Sequence, residues 1–216
     1  VMQAGADILS KAIREDAEST LEVWDESLAR SGAELMHARL ATVADLTPHV
    51  ADAYTAIAPT NNDAGIEYRS AIGADSTTSQ SEIEARLILA MGERRSDELQ
   101  RGVCLVGPHR DELPLSLGEL PAKGYASHGE SWSFALSLKL GAFALLRADG
   151  VQPVLILDDV FAELDQMRRE RLAGMISQAE QVLITAAVPD DVPAGLGGRR
   201  FRVDGGEVSE ESDAGS

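Results

Sequence analysis

The sequence predicts an α/β fold with a partly parallel sheet, next to a mainly helical domain. Three observations predict it. Val154 to Leu157 is an unbroken apolar run ending in Asp158 and Asp159, the pattern of a buried strand in a parallel sheet. Ala126 to Leu146 opens with Ser127 and Gly129 and becomes a strongly apolar helix. Leu21, Trp24, Leu28 and Leu35, then Met36, Leu40, Val43, Val50, Tyr54 and Ile57, recur at helical spacing. The N-terminal part therefore reads as one long amphipathic helix, or as two with a break near Gly32 or Pro48.

The remaining elements follow in order. Pro59 to Gly65 is turn-rich, and Gly65 to Ile72 alternates with Ile66, Tyr68, Ser70 and Ile72 on one face, as a strand does. Ser81 and Glu84 form an S-x-x-E capping pattern for a helix from about Glu82 towards Gln100. Val103 to Val106 is a short apolar run that predicts a third strand of the parallel sheet, ended by Gly107 and Pro108. Leu115 and Leu117 read as a hairpin strand ending at Gly118. After Asp165, Leu172, Met175 and Ile176 mark a helix face, and Val182 to Thr185 is the next parallel strand. Phe201, Val203, Asp204-Gly205-Gly206 and Val208 predict a closing hairpin, and Ser209 to Ser216 an acidic, disordered tail. The domain boundaries expected are 1–95 for the helical arm, 96–208 for the α/β part and 209–216 for the tail.

Composition narrows the function. The net charge of −17 argues against a stand-alone DNA-binding module, which usually carries a basic face. Local clusters at Arg94/Arg95, Arg168/Arg169/Arg171 and Arg199/Arg200/Arg202 read as solvated faces. No apolar run approaches the roughly 18 residues of a membrane span, and no signal peptide is visible. The single cysteine, Cys104, reads as a buried free thiol in a reducing, cytoplasmic setting. Histidine and cysteine show no zinc spacing. Val1 in place of an initiator Met suggests a fragment.

Two stretches carry chemistry. Strand C-termini of parallel sheets are where ligands sit, and two carboxylates at that point need a reason, because desolvating charge is costly unless it is paired or binds a metal. Mg²⁺ supplies one, as a hard cation that takes carboxylate, water and phosphate oxygens. An apolar strand ending in Asp is the Walker B pattern of P-loop ATPases. Ser127 and Gly129 stand at a helix start, where free amides and the helix dipole favour an anion. An S-x-G helix start upstream of a Walker B strand is the order found in ABC-type ATPases. A plain helix cap and an ordinary strand whose acids cap the next helix are the simpler alternatives.

The chain resembles the C-terminal part of the RecF family, bacterial recombination and gap-repair ATPases of the SMC-like branch of the ABC ATPases. The residues that carry the resemblance are GPHRDEL at Gly107 to Leu113, ASHGESWSFALSLKL at Ala126 to Leu140, LILDDVFAELD at Leu155 to Asp165 and ITAA at Ile184 to Ala187. WDESLARSGAEL, Trp24 to Leu35, resembles the family's helical domain. The resemblance implies the C-terminal part of an ABC/SMC-type ATPase head with an adjoining helical arm. It implies ATP and Mg²⁺ as cofactors, with Asp158 holding Mg²⁺ through water and Asp159 orienting the attacking water. Ser127, Gly129 and Glu130 would meet the γ-phosphate bound by the opposite subunit, and Asp165 would be the D-loop aspartate at the dimer interface. DNA (single-stranded and gapped double-stranded), RecO, RecR and an ATP-dependent homodimer are the implied partners, and loading of RecA the implied task.

The departures from related patterns also matter. A P-loop needs G-x-x-x-x-G-K-[ST], and none of Lys11, Lys123 or Lys139 stands in that setting. The parent protein would be the ATPase, and this chain alone is expected to be inactive. Thr185 and Ala186 occupy the region where transporters carry a switch histidine, which disfavours a transporter. A non-catalytic acidic interaction module and another SMC-like head are the competing readings. His109, Arg110 and Asp111 have open roles: Arg110 could pair with an acid or touch nucleotide or DNA.

Overall fold

A computed structural model describes the backbone of residues 2–58 and 63–211, with side chains described from residue 21 onward. The described residues form two compact units. The first combines Val1–Ala51 with Asn62–Ala126; the second combines Asp52–Asn61 with Ser127–Ser216.

The first unit is built on α1 (Met2–Ile57) and α2 (Gln80–Arg101). No break occurs at Gly32 or Pro48: α1 runs through both. Gly32 is instead a packing site, where an added Cβ would lie 3.2 Å from Leu87 and 3.3 Å from Pro108. Pro48 removes the donor for one helical bond; one residue earlier, the Thr47 hydroxyl donates to the Val43 carbonyl at 2.6 Å. The buried stripe of α1 is Ala29, Ala33, Met36 and Leu40, packed with Ile83, Leu87 and Met91 of α2 and with Val106. Met36 and Leu40, and Val50, Tyr54 and Ile57 further on, are buried as their spacing predicts, and Ala29 and Ala33 join the stripe. Trp24 and Leu35 are exposed, because alanine and glycine let the helices approach closely and so occupy the contact line.

Strands β1 (Ala64–Ile66), β2 (Leu115–Leu117) and β3 (Leu120–Pro121) make a small antiparallel sheet, followed by a short turn, α3 (Ala122–Tyr125), whose Lys123 and Gly124 depart from helical backbone angles. The strand expected to reach Ile72 is shorter, although Arg69 still bridges Glu112. The Glu67 amide donates to the Pro114 carbonyl at 3.1 Å, but Pro114 has no amide to return the bond, so the ladder is interrupted there. Helix α2 is capped two residues earlier than expected. Ser79, not Ser81, is the N-cap, and Glu82 closes the capping box. Asp75 sets this start by accepting from the Thr77 amide at 2.9 Å and from both threonine hydroxyls of the loop.

Val103 to Val106 is not a strand, which corrects that expectation. Helix α2 continues to Arg101 and ends at Gly102 in the left-handed conformation (φ 65°). The few residues left before Gly107 bond to side chains instead of a neighbouring strand. The Leu105 amide donates to Glu98 at 2.5 Å, and the Cys104 carbonyl accepts from the Arg110 guanidinium. Cys104 is exposed rather than buried.

The second unit contains α4 (His128–Ala148), β4 (Leu155–Asp158), α5 (Gln166–Ile176), β5 (Val182–Thr185) and the antiparallel hairpin of β6 (Arg200–Asp204) and β7 (Glu207–Glu211). β4 and β5 are parallel, with Ile156 opposite Leu183 and Asp158 opposite Thr185. Inward Leu155 and Leu157 join Leu136, Leu140, Phe161, Leu164, Leu172 and Ile176 in one core, together with Ala53 and Ile57 from the end of α1. Outward Val154, Ile156 and Leu183 are exposed, so the apolar run is buried on one face only. The hairpin holds Ser209 to Glu211 in β7, which moves the start of the expected tail. The tail beyond Glu211 and most of the loop expected at Pro59 to Gly65 lie outside the described residues.

Candidate functional site

The end of β4 places Asp158 on the outward face, directly across from Thr185. Strand alternation dictates this: with Leu155 and Leu157 inward, Ile156 and Asp158 must point out. The Thr185 hydroxyl donates to Asp158 Oδ1 at 2.5 Å. Asp158 Oδ2 has no protein partner among the described residues. An exposed carboxylate with a free oxygen suits Mg²⁺, which keeps several waters and takes only one or two carboxylates beside phosphate oxygens. Asp158 could offer Mg²⁺ one carboxylate oxygen; among the described residues no group of three acids, histidines or cysteines converges on a point.

Asp159 follows with φ 54° and ψ 23°, the one non-glycine residue at positive φ among those described. Asp tolerates this region better than most residues, at a cost of order 1–3 kcal/mol. The conformation turns the chain out of the strand. The Asp159 amide then donates to the Thr185 carbonyl and to the Thr185 hydroxyl, each at 3.1 Å. A 3₁₀ turn, Val160 to Glu163, buries Phe161 completely beneath the turn.

The second cluster lies at the start of α4. Ser127 is the N-cap and Glu130 completes a capping box. Gly129 faces Arg168 of α5, whose Nη1 would lie 3.3 Å from an added Cβ. Arg168 is also 3.6 Å from Asp165, which caps α5 by accepting from the Arg168 amide at 2.9 Å. His128 stands 3.9 Å from Glu163. Ser127, Gly129 and Glu130 therefore share one neighbourhood with Asp165, while Asp158 and Asp159 form their own with Thr185.

Sequence reasoning missed two contributors. Arg168 read as part of a solvated helix face, yet it is only 26% exposed and sits between Gly129 and Asp165. Thr185 counted only as the place of a missing histidine. The signal was present: aligning the ends of the two apolar runs in parallel register brings Thr185 beside Asp158. The other arginines singled out are largely neutralised. Arg94 pairs with Asp97, Arg95 with Asp25, Arg169 with Asp191, Arg199 with Glu210 and Arg202 with Glu211. Arg110 bonds the Cys104 carbonyl, and Asp111 accepts from the Tyr68 hydroxyl at 2.5 Å and the Ala71 amide at 2.7 Å. Burial first, then the Asp111 hydrogen bond, push the Tyr68 hydroxyl up to about 12. Arg110 and Asp111, with His109 Nε2 3.3 Å from the same Cys104 carbonyl, brace the first unit. No described helix is long and apolar enough to cross a membrane.

Comparison with known proteins places these residues in context. No protein-family model matches the chain. It is 53% identical over 204 residues to the DNA replication and repair protein RecF of Rhodococcus erythropolis, covering 89% of this chain and 50% of that protein. It is 56% identical over 206 residues to the protein of the same name from a Nocardioides species, covering 92% and 49%. The chain thus spans about half the length of the curated relatives it matches. Among solved structures, the recombination mediator protein RecF-ATPrS in the RecFOR pathway superposes with a TM-score of 0.77 at 26% identity, over 94% of this chain and 54% of that one. RecF-ATP gives 0.76 at 25% identity, over 90% and 51%. A structure from work on ATP-driven dimerization and DNA stimulated activation of SMC ATPases gives 0.50 at 12% identity, over 82% and 89%, a likeness of fold alone. The expected α/β class, with a mainly helical region and a fold shared with RecF and with an SMC ATPase structure, is borne out.

Proposed function

This chain belongs to the RecF family, of which it forms a C-terminal portion, and from that premise we infer that it supplies one side of an ATP site in a DNA-repair ATPase. The supporting observation is the close grouping of Ser127, Gly129, Arg168 and Asp165 at the exposed start of α4. A helix start whose His128 and Gly129 amides are not taken up by the cap, beside a guanidinium, suits phosphate. Glycine at 129 keeps that approach open.

In this reading the nucleotide is bound by the P-loop of one subunit and capped by Ser127, Gly129 and Glu130 of another, so ATP joins two copies. Asp165 stands at their interface. Asp158 would hold Mg²⁺, which would supply neutralisation of phosphate charge. Asp159 orients a water for in-line attack on the γ-phosphorus as the bond to the bridging oxygen breaks, giving ADP and phosphate. The dimer acts at single-stranded and gapped double-stranded DNA in the cytoplasm, with RecO and RecR, to load a recombinase. The chain's own acidity and its paired arginines leave most DNA contact to other parts of the protein.

The test compares two preparations. The 216-residue chain alone is expected to show no ATP turnover, because no sequence in it can form a phosphate-cradling P-loop. The full-length protein is expected to hydrolyse ATP and to dimerise with it in analytical ultracentrifugation. A full-length protein that stays monomeric with ATP and Mg²⁺ overturns the shared-site reading.

A further inference from the structure

We propose that Thr185 is a positioning residue for hydrolysis, its one hydroxyl setting both the Asp158 carboxylate and the backbone of Asp159. The inference rests on the ATP-site reading above. A threonine hydroxyl has one proton to give and lone pairs to receive, and here both capacities are used. The proton goes to Asp158 Oδ1 at 2.5 Å, and the oxygen accepts the Asp159 amide at 3.1 Å. Two residues with different proposed tasks are thereby referred to one atom on the neighbouring strand.

The parallel register makes this possible. Thr185 is paired with Asp158 at the last step of the ladder, and the Asp159 amide donates to Thr185 as the next bond of that ladder, before the chain turns away at φ 54°. With Oδ1 held by the hydroxyl, Oδ2 is the oxygen left for an external ligand. The carboxylate is thus prevented from rotating freely, as outer-shell hydrogen bonds do for metal ligands elsewhere. The Asp159 turn has a second anchor, the Thr185 carbonyl at 3.1 Å, so losing the hydroxyl need not undo the backbone bond. Thr185 is exposed, so the hydroxyl contributes little to the fold, and its loss should be read in function rather than in stability.

The experiment uses full-length protein with Thr185→Val, which keeps the branched shape and removes the hydroxyl, and Thr185→Ser, which keeps the hydroxyl. Three quantities are measured: kcat and KM for ATP, the Mg²⁺ concentration at half-maximal binding of a fluorescent ATP analogue, and the thermal midpoint. Thr185→Val is expected to lower kcat about 10- to 100-fold and raise the Mg²⁺ requirement by a similar factor, the usual cost of losing an outer-shell partner. KM for ATP at saturating Mg²⁺ and the thermal midpoint should stay near wild type, and Thr185→Ser should restore kcat and the Mg²⁺ requirement. Equal kcat and Mg²⁺ dependence in the Val and wild-type proteins overturns the role of Thr185 while leaving the ATP-site reading standing. No turnover by wild type itself overturns both.

Discussion

Ser127 and Glu130 cap the same helical turn for each other. The Glu130 amide donates to the Ser127 hydroxyl at 3.3 Å, and the Glu130 carboxylate accepts the Ser127 amide at 2.8 Å and the Ser127 hydroxyl proton at 2.7 Å. The hydroxyl proton is committed to the helix cap, so donation to a phosphate requires it to turn away from Glu130. Cap and ligand contact compete for one proton.

Ser127→Ala and Ser127→Arg separate the two roles. Ser127→Ala removes the cap and is expected to lower stability by about 1 kcal/mol, measured by urea unfolding. Ser127→Arg places a large cation where the opposite subunit's nucleotide docks. It should leave ATP binding to one subunit intact and abolish ATP-dependent dimerisation, read by analytical ultracentrifugation. Wild-type dimerisation of Ser127→Arg would reduce Ser127 to a helix cap.

The same pair makes a pH prediction. Hydrogen bonds from the Ser127 hydroxyl, then from its amide, hold the Glu130 carboxyl below its ordinary value of 4.5. A carboxyl depressed in the folded state adds stability above its unfolded pKa and loses it as pH falls through the folded one. The stability difference between wild type and Glu130→Gln should therefore be constant near neutrality and shrink as pH falls below about 4.5. Glu82→Gln at the start of α2 should behave alike, since Ser79 holds Glu82 in the same way. A difference that does not change with pH would place the contribution of Glu130 outside its charge.

Asp159→Asn tests the water-orienting role with little disturbance of the backbone, because asparagine also accepts the left-handed region. Removing the charge should slow hydrolysis by about 10²-fold or more and leave ATP affinity nearly unchanged, the pattern of an interaction used only in the transition state. ATP-dependent dimers should persist or tighten. Single-turnover kinetics and nucleotide titration check both parts, and turnover at the wild-type rate would assign the water to another group.

The turn carrying Asp159 is supported from below and from the side. Phe161 is fully buried in the core with Leu157, Leu172 and Ile176. Arg169 donates to the Leu164 carbonyl at 2.8 Å and pairs with Asp191 at 2.9 Å. Phe161→Ala is expected to cost about 3–5 kcal/mol and Arg169→Ala about 1–3 kcal/mol. Equilibrium unfolding in urea reads both, and a near-neutral Phe161→Ala would contradict the packing described.

Much of the fold was legible because its signals are local. The capped helix at Ser127, the strands at Leu155–Asp158 and Val182–Thr185 and the hairpin around Gly205-Gly206 each carry their own pattern. The strand expected at Val103 to Val106 failed because four apolar residues say nothing about whether a neighbouring edge exists; Glu98 and Arg110 took its polar groups instead. The contact line of α1 was legible at Met36 and Leu40 and missed in the turns before them, for a related reason. Size marks Trp24 and Leu35, but close helix packing selects Ala29, Gly32 and Ala33. At the candidate site, the carboxylates and the serine were visible as motifs. Arg168 and Thr185 were not, because their importance comes from strand register and helix placement rather than from neighbours in sequence.

The left-handed backbone at Asp159 sets stability against activity at a single position. Glycine adopts φ 54° without the steric cost an L-residue meets, so Asp159→Gly should gain up to about 1 kcal/mol from relieved strain, less the added flexibility of the unfolded chain. The same change deletes the carboxylate proposed to orient water. A screen of full-length variants for heat resistance alone would therefore favour an inert protein at this position. Retaining aspartate there means accepting a less stable turn in exchange for a charged group at the strand end.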